Sequence, residues 1–113
     1  MDRLKTIFNE QLQLQKKISN TDCDKPDYKA VYNNATAAMV EIGEMLQADT
    51  RWKPEVTKSR KTPVYNEEEF LEEWSDAFIY MLNVLIYYGA SITDAIYSVE
   101  NKMSINKERF NEH

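Results

Sequence analysis

Apolar residues recur along this chain at three- and four-residue spacing in four separate stretches, and that period predicts four helices. Leu4, Ile7, Phe8, Leu12, Leu14 and Ile18 mark the first, over about residues 2–18. The segment "SNTDCDKPD" interrupts it, with Pro26 placed to open the first turn of the next helix. The second helix, about 27–49, sets Tyr28, Val31, Tyr32, Ala35, Ala38, Met39, Ile42, Met45 and Leu46 on one stripe, the side expected to face the core. The third, about 67–88, begins with "NEEEFLEEW", acids where the helix dipole favours them, and stops at Gly89, a residue suited to a left-handed cap. The fourth opens at "SITD", where Ser91 and Asp94 have capping-box spacing, and runs to about Phe110. Ile92, Ile96, Val99, Met103 and Phe110 form its apolar side.

Between the second and third helices lie 17 residues, "TRWKPEVTKSRKTPVYN", with two prolines and no apolar period. They carry Arg51, Lys53, Lys58, Arg60 and Lys61 against one acid, Glu55. A connection this long in a small domain points to function or motion, although a basic loop is also an ordinary solvated surface. The 113 residues, with only two Gly and three Pro, fit a single all-α domain, 1–113, built as a four-to-five-helix bundle.

Charge and composition narrow the chemistry. A net charge of −5 argues against nonspecific binding to nucleic acid or an anionic membrane. Cys23 is the sole cysteine and His113 the sole histidine, which excludes an intrachain disulfide and a zinc site of the usual kinds. The same shortage of histidine removes a ferritin-like di-iron bundle. The longest apolar run, "AFIYMLNVLIYYGA", is 14 residues, contains Asn83, and is too short to span a bilayer. The N-terminus lacks the apolar run of a signal peptide, so the expected compartment is the cytoplasm.

The third helix holds the most informative pattern. With Asp76 at zero on a helical wheel, Glu73 falls at about 60°, Tyr80 at about 40°, Asn83 at about −20° and Tyr87 at about 20°. Nearly everything else from Trp74 onward is apolar, and Trp74 itself is expected in the core. A helix this apolar belongs inside a core or an oligomer interface, and its narrow polar seam must then be paired, metal-bound or facing a cavity. On the second helix Glu41 and Glu44 share one flank of the apolar stripe. Antiparallel packing of these two helices lets Glu41, Glu44, Glu73 and Asp76 meet. Four hard oxygen donors with no His or Cys suit magnesium or manganese. Lys102, Asn106 and Arg109 form one file on the fourth helix, cations suited to a polyphosphate that chelates such a metal. Tyr80 and Asn83 are expected to support the acids by hydrogen bonding, or to close the floor of a polar cavity.

An acidic pair at three-residue spacing is common in any acidic helical protein, and Glu69 with Glu72 is another instance in this chain. The ordered set "EIGE", "RWK", "EEWSDAFIYMLNVL" and "KMSINKERF" is much rarer. Over about residues 35–110 it resembles the all-α nucleoside triphosphate pyrophosphohydrolases, which include the dimeric dUTPases, the dCTPase-like enzymes and the MazG-type enzymes. The resemblance implies an oligomeric helical bundle, a homodimer or homotetramer, that uses magnesium to split a nucleoside triphosphate into monophosphate and pyrophosphate. It implies Glu41, Glu44, Glu73 and Asp76 as metal ligands, with Lys102, Asn106 and Arg109 on phosphate oxygens. Trp52 would lie near the base and Lys53 near the phosphates; "LQKKIS" resembles a base-reading stretch and assigns Gln15 to a pyrimidine edge, with Ser19 where that pattern has Asn. The expected substrate is dUTP or dCTP, and any of the four carboxylates, Glu44 among them, is a candidate general base. The alternatives are a broad-specificity MazG-type hydrolase and a non-catalytic helical interaction module.

Overall fold

The computed structural model describes residues 2–57 and 62–111, with the side chains of Asp2, Glu55 and Thr57 excepted. The helices are α1 (Asp2–Ser19), α2 (Tyr28–Ala48), the single turn α3 (Pro54–Thr57), α4 (Glu67–Tyr88) and α5 (Ile92–Asn111). An all-α architecture is therefore observed, and the four long elements follow the apolar periods closely. α3 is the one helix the periodicity does not reveal; a proline at its first position supplies a preset φ for one short turn. Lys58, Arg60, Lys61 and His113 lie outside the described residues.

Local chemistry sets the ends. Asp27 caps α2 by accepting a hydrogen bond from the Ala30 amide at 3.0 Å, so Pro26 stands before the cap and not in the first turn as expected. Asn66 caps α4 through the Glu69 amide at 3.1 Å, and Glu67, Glu68 and Glu69 fill the first turn. Gly89, at φ 91°, closes α4 in the left-handed region and its amide reaches Leu85 and Ile86. Ser91 then accepts from the Asp94 amide at 3.0 Å and starts α5, turned 114° from α4.

α2 and α4 pack antiparallel, fixed by the Asp27 amide on the Tyr87 carbonyl (2.8 Å) at one end and the Asn66 amide on the Ala48 carbonyl (3.0 Å) at the other. α1 lies against α4, where Phe8, Leu82 and Ile86 form the buried cluster, joined by Leu12, Cys23, Phe78, Leu85 and Ile92. A polar ladder crosses all three helices. Gln11 donates to Asn83 at 2.8 Å, Asn83 donates to Asn34 at 3.0 Å, and Asn34 donates to the Ala30 carbonyl at 2.8 Å. Asn83 is 4% exposed, so this ladder fixes the register of α1, α4 and α2 against one another.

The roll of α2 differs from the expected one. Its covered positions include Val31, Asn34, Ala38, Glu41, Met45 and Ala48, a three–four repeat carrying small and polar side chains. Tyr32 (71% exposed), Met39 (64%), Ile42 and Leu46, assigned to the core by pattern, line a neighbouring stripe that faces outward. α4 likewise leaves Leu71, Trp74 and Met81 exposed; Trp74 stacks on Phe78 at 5.3 Å between ring centres instead of entering the core. α5 contains no buried residue, and Val99, Met103 and Phe110 are bare. The radius of gyration, 17.8 Å, exceeds the roughly 13 Å expected of a compact chain of this length. The chain alone does not close its apolar surface. Among the described residues, no single helix is long and apolar enough to cross a membrane.

Asn83→Ala would leave the Gln11 amide and the Asn34 carbonyl without their partners inside the bundle. A loss of about 1–3 kcal/mol in urea unfolding is expected.

Candidate metal and nucleotide site

The antiparallel register places Glu41 of α2 beside Glu73 and Asp76 of α4, with one carboxylate oxygen from each within 4.8 Å of the others. Glu41 and Glu73 are half-buried and Asp76 is exposed. Glu44, one turn along α2, is exposed and close enough to exchange a hydrogen bond with Glu73. The structure thus gathers the four acids singled out in the sequence, three tightly and Glu44 at the edge. No cation among the described residues forms an ion pair with any of them; the salt bridge observed joins Arg51 to Asp49.

Glu73 is the centre of the group. Its Oε2 is buried and has no hydrogen-bond partner among the described residues. Its pKa is raised above the ordinary value of 4.5, first because the protonated form donates to Glu41 and next because burial disfavours the charge. Hydrogen bonding from Glu44 acts in the opposite direction, while the charges of Glu41 and Asp76 add to the increase. A buried oxygen without a donor, surrounded by like charge and by oxygen donors only, fits a hard divalent cation such as magnesium or manganese.

The polar seam of α4 continues toward its C-terminus. Tyr80 is half-buried on the same side, and Asn83 serves the three-helix ladder. Gln15 is buried, and its Oε1 accepts from the Tyr87 hydroxyl at 2.6 Å; its Nε2 has no protein partner among the described residues. Burial pushes the Tyr87 phenol up, with the Ser19 hydroxyl pulling the other way, so it stays a neutral donor. Ser19 and Tyr87 also line a recess of about 670 Å³ at the α1–α2 connection, with Thr21, Cys23 and Tyr28.

Trp52 and Lys53 lie at the other end of α4. The Trp52 Nε1 donates to the Leu46 carbonyl at 2.8 Å, and the Lys53 Nζ donates to Gln47 Oε1 at 3.0 Å. Asn66 and Tyr87, which mark the two ends of α4, are roughly 30 Å apart along the helix axis. Gln15 and Trp52 therefore do not converge within one chain. Lys102, Asn106 and Arg109 are exposed on α5, which packs on α1 and has no extended contact with α2 or α4. Gln11, Asn34 and Tyr87 were not selected from the sequence. Tyr87 already stands in the polar seam on the helical wheel, though with no role assigned there, whereas Gln11 and Asn34 look like surface amides until the helices are docked.

The raised pKa has a definite consequence for metal-free protein. A carboxyl whose folded pKa exceeds its unfolded value binds the proton more tightly when folded, so stability falls as pH rises from that unfolded value through the folded one. In chelator, melting temperature is expected to drop across this window, and Glu73→Gln is expected to remove the drop and melt higher above it. Thermal scans of both proteins against pH measure this.

Searches of the curated proteins and of the solved structures return no match. The family described as dUTPase matches residues 3–112, which includes the acids of α2 and α4, the Trp52 turn and the polar file of α5. With that coverage of nearly the whole chain, and with the carboxylates of α2 and α4 brought together between antiparallel helices, the protein belongs to the dUTPase family and shares its nucleotide-hydrolase type of function.

Proposed function

We propose that the protein hydrolyses a deoxypyrimidine triphosphate, dUTP or dCTP, to the monophosphate and pyrophosphate, in the cytoplasm and with magnesium. The observation that carries this reading is the buried, unpartnered Oε2 of Glu73 within reach of Glu41 and Asp76. Glu41, Glu73 and Asp76, with Glu44 at the rim, would hold the metal. When bound, magnesium supplies charge neutralisation at phosphate oxygens and lowers the pKa of water.

The chain's own residues supply the rest. Water attacks the α-phosphorus in line, the bond from that phosphorus to the bridging oxygen breaks, and pyrophosphate departs. Glu44 takes the proton of the attacking water, since it is the most exposed acid on α2 at the group. Gln15 reads the base with its unpartnered Nε2, while Tyr87 fixes the orientation of the amide through Oε1. Tyr80 and Asn83 keep the seam between these ends polar.

Lys102, Asn106 and Arg109 reach phosphate oxygens from the α5 of a second copy. Support comes from the polar file of α5, which lies exposed on a helix packed on α1, and from the bare apolar stripes of α2 and α4, which need a cover. A base contacted by both Gln15 and Trp52 is likewise shared between two copies, because these residues stand at opposite ends of α4. Lys53 then meets the phosphates from the turn between α2 and α3.

Pyrophosphate release is expected from dUTP or dCTP in preference to other nucleotides, and only with magnesium or manganese. Glu41→Gln and Asp76→Asn should each lower it by about 100-fold or more while the fold survives. Equal release across a nucleotide panel would favour the broad-specificity alternative, and no release from any nucleotide would favour a non-catalytic role. Sedimentation at micromolar concentration is expected to give a dimer or tetramer; a monomer there overturns the shared site.

A further inference from the structure

The 49–65 connection is closed at its base by a short antiparallel stem. The Thr50 amide donates to the Val64 carbonyl at 2.7 Å, the Val64 amide donates to Thr50 Oγ1 at 2.8 Å, and Asp49 pairs with Tyr65 in an isolated β-bridge. Arg51 locks this stem from one side. Its backbone amide reaches Asp49 Oδ1 at 3.1 Å, and its Nε spans both carboxylate oxygens at 2.9 and 3.1 Å. The same guanidinium lies 4.2 Å from the centre of the Tyr65 ring, so one side chain grips both members of the bridge.

The turn that follows depends on this base. The Lys53 amide returns to the Thr50 carbonyl at 3.0 Å, which brings the Trp52 indole back onto the last turn of α2. Lys53 Nζ meets Gln47, three residues beyond Glu44 and therefore on the same helix face. The lock thus sets where a cation and an aromatic ring stand relative to the acidic group. Arg51 also holds the Asp49 carboxyl below its usual range, so the pair stays ionised at neutral pH.

We infer that Asp49, Arg51 and Tyr65 are positioning residues for the nucleotide site, a lock that holds Trp52 and Lys53 at the acidic edge and so sets substrate affinity. This rests on the reading of the acids as a nucleotide site. None of the three touches the reacting atoms; they act through Trp52 and Lys53.

The test uses the full chain carrying Trp74→Phe, so that Trp52 is its only indole. Arg51→Gln and Tyr65→Ala are each expected to lower the fluorescence anisotropy of Trp52 and to raise KM by about tenfold, with kcat within about twofold. The double variant should match the single ones, because either change opens the same lock. Tyr65→Phe keeps the ring face and should restore both readings. Circular dichroism confirms the helices in each variant. Unchanged Trp52 anisotropy in Arg51→Gln and Tyr65→Ala overturns the lock, whether or not any nucleotide is hydrolysed. Turnover by the parent with an unaltered KM in both variants overturns its role in affinity. Absence of turnover in the parent defeats the reading of the site instead, and leaves the anisotropy to decide the lock.

Discussion

Two antiparallel helices, α2 and α4, press carboxylates of the same sign against each other, and the remainder of the fold is arranged to tolerate that contact. Glu41 and Glu73 repel when both are ionised, and only a proton held between them turns the contact into a hydrogen bond. The register is imposed elsewhere, by the caps at Asp27 and Asn66, by the backbone links to Tyr87 and Ala48, and by the Asn34–Asn83 pair in the middle. The site is thus prepared by packing on both sides of it. A cation entering such a group gains oxygen donors whose desolvation and mutual approach have already been compensated by folding.

This division of labour explains what the sequence made legible. The long helices were readable because their apolar residues follow a helical period and their ends carry strong local signals, Ser91 with Asp94 and Gly89 above all. Glu41, Glu44, Glu73 and Asp76 were readable because they lie on the faces that an antiparallel pair turns toward each other. The roll of α2 was not readable from hydrophobicity. Tyr32, Met39 and Ile42 are the more apolar side chains, yet Ala38 and Ala48 are the buried ones. The Asn34–Asn83 hydrogen bond and the backbone links at the two helix ends decide the roll, and a wheel drawn for one helix does not contain them. The stem at Asp49 and Tyr65 was hidden for a similar reason, since it joins residues on opposite sides of an aperiodic connection.

The uneven distribution of burial also divides the molecule's surface. Its polar features follow α4 from the Trp52 turn, past the acids, to Gln15 and Tyr87, while the bare apolar faces lie on neighbouring sides of the same helices. The polar groups and the bare apolar faces therefore share helices without sharing side chains. α5, which starts at Ser91 just after the Gly89 cap of α4 and is turned 114° from that helix, carries its polar file away from the acids of its own chain.

The two adjacent stripes of α2 have one more consequence. Rotating that helix about its axis by a single residue would hide tyrosine and methionine in place of alanine and gain apolar burial, yet it would swing Asn34 away from Asn83 on α4. The hydrophobic effect alone favours the rotated packing; the polar side chains forbid it. Asn34 and Asn83 therefore select the native orientation among near alternatives, and replacing them with apolar groups puts the identity of the fold at stake.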